Sequence, residues 1–405
     1  MNFNIVKKNK KKDDDEDLLD EDELEVEEEK SSSNNNDAKK KMFKFMGFVL
    51  IGVFLIFFLL YLVSLFSRGH SYTYEDIEKV LVDAAKEYFA ENPSYLPTED
   101  GNVVEVDHTN LVAAGKMKDL SEYLEEGVSC SASVLVEKSG SEYLYSPFLN
   151  CGDTYATVLF HDKVVSDQSV VSSGYGLYSM NGGYVFRGEL VNNYVQLSNS
   201  VWRIVKITSN NNVVLISEDG APYSQPWDNR YNEDRFYESG INQYSASRVR
   251  EYLEKIYSNP STNDGEDLLS EGDRARIVSY NVCTGKRTTS SESKNNSEEC
   301  AEVLQNQKLG LLTLSDYMVA SIDTSCKSSK TKSCQNYNYL AKDFDWWLVT
   351  ANKEDNSTVF KVDRGGVITT DNASTYSIVR PVIYLNSNVL YDSGDGSLEN
   401  PYVIR

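Results

Sequence analysis

From Phe45 to Phe66 the chain reads FMGFVLIGVFLIFFLLYLVSLF, 22 residues without a charge. At about 1.5 Å per residue, a helix of that length covers the roughly 30 Å hydrocarbon layer of a bilayer. A secretory signal has a shorter apolar region that ends at a small-residue cleavage site. This run follows 44 polar residues, so it is expected to remain as an anchor. Lys39, Lys40, Lys41 and Lys44 crowd its N-terminal flank and Arg68 alone follows nearby. That bias places the N-terminus in the cytoplasm and everything beyond the anchor outside. The expectation is a single-pass cell-membrane protein with bilayer lipid around residues 45–66.

The 405 residues include 40 Lys+Arg against 62 Asp+Glu, a formal net charge of −22. A phosphate backbone is held by clustered cations, so nucleic acid is excluded as a partner. Residues 1–44 carry KKNKKKDDDEDLLDEDELEVEEEK and SSSNNND, charge blocks and a polar tract with little to bury. They are expected to form a disordered acidic cytoplasmic tail.

All six cysteines follow the anchor, on the side assigned to the exterior. Their even number and closeness in sequence predict three local disulfides, Cys130 with Cys151, Cys283 with Cys300 and Cys326 with Cys334. VSCSASVLVE and EYLYSPFLNC flank KSGS, a turn signal between two strand-like runs. A hairpin closing between Gly140 and Ser141 sets Cys130 opposite Cys151. There is no CxxC, and His70, His108 and His161 lie outside the C-terminal cysteine group, so a zinc site is not expected.

YEDIEKVLVDAAKEYFAENPSYLP places Ile77, Val80, Leu81, Ala84, Ala85, Tyr88 and Phe89 on one helical stripe that Pro93 stops. Strand and turn signals follow, so residues 72–165 are expected to pack one helix on a small antiparallel sheet. This order is similar to the type IV pilin-like fold. The chain departs from pilins in its long leader and in GFVLIG, which lacks their glutamate. SDQSVVSSGYGLYSMNGG reads as a Ser/Gly-rich linker over 166–183. From Tyr184, apolar runs alternate with Asn-rich turns as in a β-meander, and SASRVREYLEKIYSN places Val249, Leu253 and Ile256 on a helix face. The fold class is therefore α+β: an anchor helix, a small helix-plus-sheet module and a larger mixed domain over 184–405.

The strings NNYVQLSNSVWRIVKI, GLLTLSDYMVAS, DWWLVTAN, VDRGGVI, VRPVIYLNSNV and GDGSLENPYVIR resemble a recurrent exported domain of unknown function in Gram-positive and related bacteria. The resemblance implies a fold akin to C-type lectins and formylglycine-generating enzymes. Those enzymes use a copper-binding cysteine pair, which raises the question for Cys326 and Cys334. Their context, SCKSSKTKSCQNY, is instead that of a structural disulfide.

No histidine follows His161 and GxSxG is absent, so a Ser-His-Asp hydrolase is not expected. In DSGDGSLEN, Asp392, Asp395 and Glu399 are weak calcium candidates without EF-hand spacing. Trp227, Asp228, Arg230, Tyr231, Phe236 and Tyr237 share one loop with Asn229, Asp234 and Tyr244, a mixture suited to stacking on sugars or gripping a protein. In DWWLV one of Trp346 and Trp347 is expected in the core and the other nearer solvent. Trp202, Arg203 and Arg380 read as structural, the arginines pairing with carboxylates. The expected function is non-enzymatic recognition of an extracellular glycan or protein. The alternatives are an envelope enzyme related to formylglycine-generating enzymes and a component of a pilus-like or secretion assembly.

Overall fold

The computed structural model describes residues 35–66, 72–99, 101–234, 239–259 and 268–405. The chain forms two compact units, Met1–His70 and Ser71–Arg405. In the first, α1 (Asn35–Phe66) contains Lys40–Tyr61, a 22-residue stretch long and apolar enough to cross a membrane. Large side chains along it, such as Phe45, Phe48, Phe54 and Phe57, are exposed. Residues 35–44, expected in the polar tail, are the opening turns of this helix; Ala and Lys extend a helix at little cost once the apolar run has nucleated it. The rest of the expected tail lies outside the described residues.

The second unit opens with α2 (Tyr74–Glu91). Thr73 and Asp76 form a reciprocal capping box, with the Asp76 N–H donating to Thr73 Oγ1 and the Thr73 N–H to Asp76 Oδ2, each at 3.1 Å. Asn92 caps the other end before Pro93. The buried face carries Ile77, Leu81, Ala84, Ala85 and Phe89, as the stripe predicts, and also Glu78. It covers a sheet of β1 (Val103–Asp107), β2 (Ser131–Ser139) and β3 (Glu142–Asn150), antiparallel in that order, with the short α3 (His108–Ala113) between β1 and β2. Ser139 pairs with Glu142, so Gly140 and Ser141 form the turn, and the Cys130–Cys151 disulfide closes the open end of the hairpin.

The next elements are α4 (Phe160–Gln168), β4 (Gly176–Met180) and β5 (Gly183–Arg187). The expected 166–183 linker is therefore folded: it carries the end of α4 and the first strand of a β4–β5 hairpin. Leu177 in this stretch is wholly buried with Phe160, Val164 and Phe186 in the larger core, while the smaller core ends at Cys151. The boundary thus falls in the 150s. Ser and Gly supplied a hairpin turn and close strand approaches here, not a spacer.

Then come β6 (Tyr194–Leu197), β7 (Ser200–Ile207), β8 (Val213–Ser217), β9 (Gln225–Pro226), α5 (Arg248–Ser258) and α6 (Glu271–Ala275). Next are β10 (Tyr280–Cys283), β11 (Lys286–Arg287), β12 (Val303–Gln307), α7 (Leu314–Ala320), β13 (Trp346–Asn352), β14 (Thr358–Val362), β15 (Ile368–Asn372) and β16 (Tyr376–Ser377). The chain finishes with β17 (Val382–Leu385), β18 (Tyr391–Ser393) and β19 (Tyr402–Ile404). The main sheet runs β17-β8-β7-β6-β19-β18, with β4–β5 joined to β7; a second sheet runs β11-β13-β14-β15. The expected meander is β6–β7–β8, and α5 buries Val249, Leu253 and Ile256 as read.

One continuous core contains residues of both sheets, including Trp202, Trp227, Trp346 and Trp347. The expectation that one of Trp346 and Trp347 approaches solvent is corrected: every residue of β13 is buried, so both faces of the strand are covered. Arg203 and Arg380 do pair with a carboxylate, and it is the same one, Glu218, which Lys342 also contacts. Burial pushes the Glu218 carboxyl up, but the three cations outweigh it and hold it below the usual range.

The small and large modules are fastened by polar contacts. Glu78, buried on α2, accepts from Arg405, from the Tyr155 hydroxyl at 2.7 Å and from Thr157. Ser387 Oγ donates to Glu137 Oε2 at 2.9 Å.

Candidate functional site

The loop at 227–244 holds the residues singled out for ligand contact. Trp227 is wholly buried; its indole N–H donates to the Leu348 carbonyl at 3.0 Å and its ring lies 5.8 Å from that of Tyr244. Asp228 is buried too, taking the Arg230 backbone N–H at 2.9 Å and its Nε at 2.7 Å. Neither presents a face to a ligand, which corrects that expectation: Trp227 packs from below and Asp228 folds the loop onto Arg230. Tyr231 is exposed. Phe236 and Tyr237 lie outside the described residues. The loop is tied to the β13–β14 turn by Asn356 Nδ2 donating to Asp234 Oδ2 at 2.9 Å and by Asn242 Nδ2 donating to three backbone carbonyls, those of Asn352, Asp355 and Thr358.

A second candidate is a cleft of about 240 Å³, with polar and apolar lining in similar measure, between the β4–β5 hairpin, the end of β7, α7 and the loop joining β11 to β12. Its floor is the ion pair of Lys206 and Asp316, whose Nζ and Oδ1 are 2.8 Å apart; Thr313 Oγ1 donates to the other Asp316 oxygen at 2.8 Å. Tyr184 lines one side and Lys294, Asn295 and Asn296 the other. Gly183 allows the hairpin to lie against β7, because a Cβ there would stand 2.1 Å from the Ile207 carbonyl oxygen.

The 284–302 loop is polar and low in apolar content, the composition of a mobile segment, yet it is held at every level. Cys283–Cys300 closes it. Beneath it, Arg287 Nη1 donates to Glu299 Oε1 at 3.0 Å and Ser315 Oγ at 2.7 Å, while Nη2 donates to the Ser293 carbonyl at 2.7 Å. Gly285 permits the crossing of the loop's two ends, since a Cβ would meet the Glu298 carbonyl oxygen at 2.3 Å. Asn296 has a φ of 55°, the left-handed region that asparagine tolerates. A buried ion pair adds little net stability but fixes geometry, and here it fixes the wall of the cleft.

Lys294 has no hydrogen-bond or ion-pair partner among the described residues. Burial lowers its amine below the usual lysine value, Arg187 adds to this, and Asp323 opposes it. Lys294 thus lines the cleft with no direct ion pair, feeling Asp323 only at longer range, while Asp316, the one acid among the described lining residues, is already engaged by Lys206.

The remaining candidates are structural in geometry. Cys326 and Cys334 are buried and disulfide-bonded. His161 is buried, with Nδ1 3.1 Å from the Ser387 carbonyl oxygen, and burial lowers its pKa. Asp395 Oδ1 accepts the Ser397 N–H at 2.9 Å inside the β18–β19 turn, and Asp392 and Glu399 are exposed beside it. Among the described residues no group of three His, Cys, Asp or Glu side chains is placed to hold a metal ion.

Sequence reasoning missed the cleft because Tyr184, Lys206, Lys294 and Asp316 are scattered along the chain. The legible signal was the polar KNN tract enclosed by a predicted disulfide.

A family described as a domain of unknown function (DUF6273) matches residues 210–387. That stretch covers β8 to β17, including the loop at 227–244 and the Lys294 and Asp316 sides of the cleft; Tyr184 and Lys206 precede it. No curated protein and no solved structure matches the chain.

Proposed function

We propose that this is a membrane-anchored bacterial surface protein whose larger domain recognises an extracellular glycan or protein without transforming it. The observation that carries the reading is the cleft walled by the 284–302 loop. A polar segment that would otherwise sample many conformations is fixed by a disulfide and a fully buried ion pair, and its tip faces a cleft. Fixing a loop in advance removes the ordering cost from binding, which is what a recognition surface needs. The three disulfides fit an oxidising exterior, and the apolar Lys40–Tyr61 stretch fits an anchor with the cytoplasmic side N-terminal.

In this reading α2 and its three-stranded sheet form a pilin-like spacer, and the larger domain is C-type-lectin-like in use. The burial of Cys326 and Cys334 favours binding over chemistry of the formylglycine-generating type, since neither sulfur meets solvent. The test is binding of the full chain in nanodiscs to a glycan and cell-surface array, beside Tyr231→Ala and Lys294→Gln. Retention of the chain by a defined set of ligands, lost in one variant, supports the reading and locates the contact. No retention on any ligand would overturn it.

A further inference from the structure

We propose that the cleft between β5, β7 and the 284–302 loop takes a carboxylated sugar residue, with Lys294 receiving the carboxylate. This rests on the reading of the larger domain as a binding module and names its ligand class.

Charge is the first argument. The whole chain has a formal net charge of −22, yet this cleft carries two lysines against one aspartate. Asp316 is neutralised by Lys206 at 2.8 Å and bonded by Thr313, and Asp323, which acts on Lys294 only at longer range, is engaged by Ser325 and Asn336, so among the described residues Lys294 is the lining cation left without a direct ion pair. Arg187, committed to the Val319 and Ser321 carbonyls and 4.8 Å over the Tyr178 ring, adds to the positive field at Lys294 and is not part of the cleft lining. A partly desolvated ammonium gains most from an anion that enters with it, because the local dielectric is lower than that of water.

The rest of the lining suits a hydroxyl-rich body. Asn295 Oδ1 accepts from Ser293 Oγ and the Ser297 N–H, so a ligand would meet this side chain through its amide N–H groups. Asn296 adds a further amide from its left-handed turn, and Tyr184 offers a ring edge or face. A volume of about 240 Å³ lies below the roughly 300–1,000 Å³ of drug-sized pockets, so the cleft would take a single ring of a longer acidic oligosaccharide.

The experiment titrates the full chain in nanodiscs with trigalacturonic acid, its methyl ester and sodium acetate, read by calorimetry and by saturation-transfer NMR. The acid is expected to bind at least about tenfold more tightly than the ester, the margin of a hydrogen bond to a charged group. Lys294→Gln is expected to remove that margin for the acid and leave the ester unchanged, while Lys294→Arg retains most of it. Acetate is expected to compete only at far higher concentration than the sugar acid. Equal binding of acid and ester, or an acid affinity untouched by Lys294→Gln, overturns the proposal while leaving the binding-module reading intact. Acetate competing as well as the acid overturns the sugar part, and failure of the acid to bind overturns the whole. Failure of the binding-module reading would show separately, as the absence of any retained ligand on the array.

Discussion

Arg287 and Glu299 meet at 3.0 Å with both side chains wholly withdrawn from solvent, and Ser315 completes the pair from the start of α7. Removing one partner strands the other charge in the core, which costs about 3–5 kcal/mol. Glu299→Ala is therefore expected to lower the unfolding free energy by that order in urea titrations. A loss well under 1 kcal/mol would show that the pair does not hold the loop.

The Cys283–Cys300 bond constrains the same loop covalently. Replacing both cysteines by serine is expected to cost roughly 2–4 kcal/mol. Amide exchange should accelerate over residues 288–298 and stay unchanged in the β2–β3 hairpin, which has its own disulfide. Uniform acceleration through both modules would contradict a local role.

Stability should depend on acid through Glu218. Its folded pKa lies below its unfolded value of about 4.3, so its contribution is complete above the unfolded pKa and is lost as pH falls through the folded one. Glu218→Gln is expected to be less stable at neutral pH and to lose less stability below about pH 4.3 than the parent, which thermal unfolding across pH measures. Parallel pH profiles for the two proteins would rule out this role.

At the junction of the modules, Arg405 Nη2 donates to the Tyr155 hydroxyl at 2.6 Å while the guanidinium also meets Glu78. Arg405→Ala leaves the buried Glu78 carboxylate without its cation and is expected to cost about 3 kcal/mol. Adding Glu78→Gln to that variant should recover at least half, because the uncompensated charge is then gone. No recovery in the double variant would mean that Arg405 acts through packing alone.

Where local physics decides, the sequence was legible. The apolar run, the stop at Asn92–Pro93, the turn at Gly140–Ser141 and the three cysteine pairings each depend on residues close along the chain. The 166–183 stretch misled because Ser and Gly serve hairpins as well as linkers, and only its pairing with β5, itself held on β7, distinguishes the two. Glu78 breaks an otherwise apolar stripe, and its reason is Arg405, more than three hundred residues away. Trp227 illustrates the same limit at the candidate site: an aromatic in a polar loop reads as a contact, but Leu348 and Tyr244 draw it into the core. The cleft joins Tyr184 and Lys206, neighbours through β5–β7 pairing, to Lys294 of the 284–302 loop and Asp316 of α7, so no single window of sequence contains it.

The account depends most on the larger unit standing outside the cell. The direct measurement is protease shaving of intact cells that carry the chain with one tag at each end, followed by detection of both tags. The account predicts that the C-terminal tag is released while the N-terminal tag stays protected until the membrane is broken. Protection of the C-terminal tag, or loss of the N-terminal one on intact cells, would contradict it.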